Sequence, residues 1–262
     1  MAAVGSLVNS LTCLWSQPCT RAYLPHLLFC ISFIGSVLKT TGLVPESYFS
    51  NSRNILNLYF VKVSWAWTIA LLLPFIRYSN IYNRTHTFVL RRLTSLLVAT
   101  FIWYTCTETF SYIEDITSSC YESDTMQVIH RGRIHLDGFD ISGHSFILAY
   151  SSLVIVEEMV PMLNIPQSDR NIPLDCLYIA LNAIVVIWIW MFGCTSVYFH
   201  DIIDKTIGTL CGILGWYVTY GVWYPMSFSP CLPPQQKQHK LDISVLFMFS
   251  EIHERLAFQV RH

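Results

Sequence analysis

The 262-residue chain is 53% hydrophobic and 15% aromatic but only 13% charged, with a mean hydropathy of +0.44. A soluble domain of this size needs more charge to cover its surface, so the composition indicates a polytopic membrane protein. A net charge of −1 and a pI near 6.7 argue against a nucleic-acid partner, which calls for a basic face.

In chain order, residues 1–21 read as a cytosolic N-terminus lacking the basic n-region of a cleavable signal peptide, and the apolar run Tyr23 to Leu38 reads as a signal anchor. A membrane domain over 22–225 follows, with spans predicted at 22–40, 56–76, 93–113, 141–160, 176–199 and 206–224. Each has the length needed to cross roughly 30 Å of hydrocarbon as a helix. Tyr23, Tyr59, Phe60, Tyr112, Tyr198, Trp223 and Tyr224 fall at span ends as interfacial aromatics, and Pro74, Pro161 and Pro225 mark ends or kinks. Residues 226–262 form a cytosolic tail in which Leu241 to Val260 reads as an interfacial amphipathic helix or a segment without its own fold. The nine cysteines include no C-x-x-C pair, which suggests neither a disulfide scaffold nor a zinc site. In the 114–138 loop, the spacing of His130, His135 and Asp137 fits no trusted ligand pattern, so no metal or cofactor is expected.

Placing both termini in the cytosol puts ten Lys and Arg on that side and four on the other, with Lys39 at the border. Arg91-Arg92, directly before the third span, contributes most strongly to this count. The sequon Asn83-Arg84-Thr85 then faces the cytosol and stays unglycosylated. Lys62, Glu108, Glu157 and Glu158 fall within spans and are expected to face the bundle or lie near interfaces. Glu157 and Glu158 sit roughly 20 Å along the helix from His144 and read as an interfacial acidic pair, with a structural or lipid-gating role as the alternative.

Two histidine signatures stand out. Ser142-Gly143-His144 opens the fourth span, and His200-x-x-x-Asp204 closes the fifth. The topology puts both on the non-cytosolic face, the lumen if the membrane is the endoplasmic reticulum. A histidine pair there suits cleavage of a phosphate ester: His200 as nucleophile, Asp204 orienting its ring, and His144 as general acid. Ser142 and Gly143 can offer backbone N–H groups at a helix start to the phosphate. The same residues also read simply as helix caps at a membrane surface.

The string Phe139-Asp140-Ile141-Ser142-Gly143-His144-Ser145-Phe146 closely resembles the signature of the fat storage-inducing transmembrane (FIT) proteins. So do Pro45-Glu46-Ser47-Tyr48, Asn54-Ile55-Leu56-Asn57-Leu58-Tyr59-Phe60-Val61-Lys62-Val63 and Val197-Tyr198-Phe199-His200. Val89-Leu90-Arg91-Arg92-Leu93, Val156-Glu157-Glu158-Met159 and Trp223-Tyr224-Pro225 add to the match, which covers about residues 22–230 and looks more like the second family type than the first. The resemblance implies an all-α polytopic protein, a bundle of six transmembrane helices with both termini cytosolic, and a lipid-phosphatase-like active site at the lumenal face. It implies residence in the endoplasmic reticulum membrane and a part in lipid droplet formation and triglyceride storage. The implied reaction is hydrolysis of fatty acyl-CoA to acyl 4′-phosphopantetheine and adenosine 3′,5′-bisphosphate, with His144 and His200 catalytic. Binding of triacylglycerol and diacylglycerol is also implied, and a non-catalytic protein that partitions these neutral lipids is the alternative.

The chain departs from the wider phosphatase pattern. Nothing matches the first motif of Lys and Arg-Pro, and the arginine expected six residues before the nucleophilic histidine is Cys194. Arg131, Arg133 and Lys205 are the same-side candidates to grip phosphate, and Asp201 competes with Asp204 for the orienting role. Because the tail stands apart from these motifs, a chain ending at Pro230 is expected to hydrolyse oleoyl-CoA at the full-length rate. Loss of activity in that truncation at normal expression would show that the tail contributes to the site.

Overall fold

The structure, a computed structural model, describes residues 2–42, 44–79, 86–125, 140–226 and 229. The sequon at 83–85, Arg131 and Arg133, the His130, His135 and Asp137 group, and the tail beyond Pro230 lie outside these residues. Within them every regular element is helical: α1 (Ala2–Ser16), α2 (Pro18–Thr41), α3 (Ser64–Ser79), α4 (His86–Thr125), α5 (Gly143–Glu158), α6 (Ile172–Tyr198) and α7 (Ile202–Trp216). Among the described residues three segments are long and apolar enough to cross a membrane: α2, α6, and α5 with the 3₁₀ turn Val160–Asn164 that continues it.

Local chemistry sets the helix ends. Pro18 opens α2, its fixed φ suiting the first helical turn, and Gly42 closes the helix in the left-handed conformation at φ 64°. Asn171 caps α6 by accepting from the Leu174 N–H at 2.9 Å, with Pro173 and Asp175 in the first turn. Pro74 lies inside α3, which runs on to Ser79, so it marks no helix end.

Three boundaries differ from the sequence expectation. Residues 2–16 form a helix of their own, tied to the rest by Trp15 Nε1 donating to Asn182 Oδ1 at 2.6 Å. The second span is interrupted by a π turn at Asn57–Val61 before α3 begins. The α4 helix extends well past both ends of the predicted 93–113 span.

Helix α5 is the centre. Its sequence is apolar all round rather than on one stripe, the pattern of a helix enclosed by others, and 13 of its 16 residues are buried. It packs on α7, α6, α3, α2 and α4. The contact with α7 is closest because α7 presents Gly208 and Gly212 to it. A Cβ on Gly208 would lie 2.4 Å from the Ser142 carbonyl oxygen, and one on Gly212 would lie 2.9 Å from that of Phe146. Small residues spaced by four thus let two backbones touch. An aromatic column flanks α5: Phe146 stacks on Tyr150, and Tyr150 stacks on Trp65 of α3.

At the far end of α5 each of the two glutamates is paired with an arginine from another helix. Glu157 pairs with Arg21 of α2. Glu158 is 2% exposed and receives Arg92 of α4 at 3.0 Å, the Ser95 hydroxyl at 2.8 Å and the Tyr220 hydroxyl at 2.8 Å. Arg92 also donates to Ser79 Oγ of α3 at 2.9 Å. So Arg92, one of the residues in the cytosolic count, is an interior strut, while Arg91 is exposed. Glu108 is exposed on α4 rather than turned into the bundle.

Removing one partner of a buried ion pair strands the other charge. Arg92→Met is expected to destabilise the protein by about 3–5 kcal/mol. Adding Glu158→Gln, which keeps an acceptor for Ser95 and Tyr220, should recover part of that loss. Thermal unfolding in detergent checks both, and an Arg92→Met midpoint equal to wild type would refute the strut.

Candidate active site

Ser142 is the N-cap of α5: its hydroxyl accepts from the Ser145 N–H at 3.2 Å. Its own N–H donates to the Asp204 carbonyl at 3.3 Å, which ties the start of α5 to the start of α7. Ser142 is therefore fully buried and committed to structure, and of the two proposed phosphate contacts only Gly143 faces open space, with no atom within 4 Å of a Cβ built there. His144 follows in the first turn. Its Nε2 is buried and has no hydrogen-bond partner among the described residues. The contact of Ser142 with Asp204 and Gly208 sets the start of α5 beside the start of α7, and the charges of His200, Lys62 and Asp140 reach His144.

His200 occupies the sharp corner between α6 and α7. The two helices are joined only by Phe199, His200 and Asp201, and the chain reverses by putting His200 at φ 47°. A non-glycine residue in the left-handed region is uncommon and costs about 1–2 kcal/mol, a cost often carried at functional sites. Lys39, in the last turn of α2, holds the corner by donating to the His200 carbonyl and pairing with Asp201 Oδ1 at 3.4 Å.

The carboxylate on the His200 ring is Asp140, whose Oδ2 lies 3.2 Å from Nδ1. This corrects the expectation for Asp204. Spacing by four requires helix to continue between the two residues, and the corner breaks it. Asp204 instead sits in the first turn of α7, its carboxyl interacting with the Asp201 backbone. Burial raises that carboxyl above the usual range, with the Asp201 backbone and His200 opposing the rise. Asp140 on Nδ1 leaves Nε2 of the neutral ring as the lone-pair nitrogen, the form a nucleophile needs.

Lys205 is also corrected. It is fully buried, and its Nζ donates to the Ser196 carbonyl at 2.7 Å, closing the C-terminal end of α6 rather than facing the histidines. Burial, with Lys39 nearby, pushes its ammonium down to about 8. Cys194 is buried in α6 and brings no cation to the site. Sequence reasoning quoted Asp140 only as part of a longer string and noted Lys62 only as a charge within a span. No local spacing links either to its histidine.

Residues 45–122 and 167–220 match the family described as "Fat storage-inducing transmembrane protein". A relative named "Acyl-coenzyme A diphosphatase FITM2" from Danio rerio is 72% identical, over 91% of this chain and 98% of its own length. This chain belongs to the FIT family. The relatives of the same name from Homo sapiens and Drosophila melanogaster are 50% and 32% identical, over 82% and 79% of this chain. No solved structure matches it. The FIT chain is a multi-pass membrane protein, as its apolar helices require.

The left-handed corner makes a stability prediction separate from chemistry. In His200→Gly the backbone strain is relieved, whereas in His200→Ala it persists. The glycine variant should be more stable than the alanine variant by about 1 kcal/mol in thermal or denaturant unfolding. The reverse order would remove the strain at this corner.

Proposed function

We propose that this chain is a fatty acyl-CoA diphosphatase of the endoplasmic reticulum membrane, acting at a site where His200 is the nucleophile and His144 the general acid. The observation that carries this reading is the pairing of complementary histidines at one end of the helices. His200 has its Nδ1 held by Asp140, and His144 has a buried Nε2 without a partner among the described residues. The curated relatives bear the name of that activity.

The residues supply a balanced reaction. His200 Nε2 attacks one phosphorus of the diphosphate, and the P–O bond to the other phosphate breaks as protonated His144 donates to the departing oxygen. Water then attacks the phosphohistidine, losing a proton to His144, and the N–P bond breaks to restore His200. One water is consumed, and acyl 4′-phosphopantetheine and adenosine 3′,5′-bisphosphate are released. Asp140 stabilises the charge that develops on the His200 ring, as the orienting carboxylate of a hydrolytic triad does. The Gly143 and His144 N–H groups, at the open start of α5, are placed for a phosphate oxygen.

For the membrane arrangement we favour six spans, both termini cytosolic and a lumenal site. The alternation of helix ends supports it: His144, His200 and Lys39 gather at one end, and Arg21, Arg92, Glu157 and Glu158 at the other. Asp204, Arg131 and Arg133 stay in the proposal as secondary candidates behind Asp140 and the two histidines. The link to lipid droplets and neutral lipid is carried over from the family.

Purified protein is expected to hydrolyse oleoyl-CoA, with His200→Ala lowering kcat by roughly 10⁴ or more and His144→Ala by roughly 10²–10⁴. Full activity in both variants would eliminate the histidine mechanism, whereas no hydrolysis by the wild type would leave neutral-lipid binding as the better reading. A preference for phosphatidic acid would keep the mechanism and change the substrate.

A further inference from the structure

Three lysines fall among the described residues, and two are occupied by the protein itself. Lys205 is sealed against the Ser196 carbonyl, and Lys39 is engaged by the His200 carbonyl and Asp201. Lys62 has no side-chain hydrogen bond or ion pair to any described residue, and it is exposed. Its position follows from the packing of α3 beside α5. Ser79, at the end of α3, meets the Arg92 guanidinium that holds Glu158 at the end of α5. Trp65, at the start of α3, stacks on Tyr150 with ring centroids 5.8 Å apart. The two helices therefore run in the same direction, and Lys62, one turn before Trp65, comes out at the end where α5 begins with His144. Consistent with this placement, Lys62 is among the charges that act on His144.

The backbone that presents Lys62 is built with unusual care. The π turn Asn57–Val61 closes on it, the Lys62 N–H donating to the Asn57 carbonyl at 3.1 Å. Two buried asparagines hold that turn: Asn54 Oδ1 accepts from the Asn57 N–H at 2.7 Å, and Asn57 Nδ2 donates to the Ser52 carbonyl at 2.7 Å. The inserted residue resets the helical register, so that Val61 turns inward at 1% exposure while Lys62 turns out. π turns recur at functional sites, and buried amides that only shape a turn are the supporting shell a precise site needs.

We propose that Lys62 is the cation that holds the diphosphate of the substrate against His144 and His200. The proposal rests on the diphosphatase reading above and supplies the phosphate grip that Cys194 and Lys205 leave unfilled. An ammonium here neutralises charge that builds on the phosphoryl oxygens during transfer. Its exposure means that substitution disturbs little packing.

The test uses the full chain in detergent, as wild type, Lys62→Met, Lys62→Arg and His200→Ala. Oleoyl-CoA hydrolysis is measured alongside equilibrium binding of inorganic pyrophosphate, with thermal midpoints as the folding control. Lys62→Met is expected to lose roughly 100-fold in kcat/KM and about tenfold in pyrophosphate affinity, at an unchanged midpoint. Lys62→Arg should regain most of both, since a cation is restored. His200→Ala should fail to hydrolyse at an unchanged midpoint, which separates loss of the nucleophile from loss of the cation. A Lys62→Met variant that hydrolyses at the wild-type rate, or one that binds pyrophosphate normally, overturns the proposal. If the wild type itself does not hydrolyse acyl-CoA yet Lys62→Met loses pyrophosphate binding, the diphosphatase reading fails and the anion site stands.

Discussion

Gly208 has no room for a side chain, and the candidate site depends on that restriction. Its α-carbon rests against the Ser142 carbonyl, so α5 and α7 start from the same point, and the Ser142 N–H to Asp204 carbonyl hydrogen bond closes the contact. His144 lies in the first turn of α5, and His200 lies just before the first turn of α7. Bringing the two helix starts together therefore brings the two histidines together. In lipid the hydrophobic effect does not drive helices into contact, so close packing of small residues and hydrogen bonding must do so. One methyl group at position 208 would separate the halves of the site.

The opposite end is held by a different kind of interaction. Arg21 with Glu157, and Arg92 with Glu158, Ser95, Ser79 and Tyr220, connect α5 to α2, α3, α4 and the turn after α7. Charges in such a setting are expensive unless every one is paired, so the network permits one arrangement of these helices and penalises others. The fold is thus pinned at both ends of its central helix, by glycine contacts near the histidines and by ion pairs away from them. At the histidine end, by contrast, His144 Nε2 and the Lys62 ammonium still lack partners among the described residues. Groups without protein partners are the ones available to a substrate.

Much of this was legible beforehand. The apolar runs fell within a few residues of α2, α5 and α6, because the length of an apolar stretch is a local property. The Ser-Gly-His and Val-Tyr-Phe-His strings identified both histidines. Less legible was α1, whose 2–16 stretch carries no capping signal and rests on α6, α2 and the turn after α5. The π turn was also hidden, since one inserted residue leaves the apolar run unbroken.

By itself the sequence determined the membrane class and the family strings, and it singled out His144 and His200 as candidates. Each of these is written in composition, periodicity or short motifs. The tertiary structure alone decided which residues serve them. Asp140 rather than Asp204 reaches His200 because the chain turns back at φ 47° and breaks the helical spacing. Lys205 turns inward to close α6, and Lys62, far away in the chain, lies toward the end where α5 begins because α3 and α5 run in parallel. Partners so distant in sequence leave no local pattern, and only the packing of the helices reveals them.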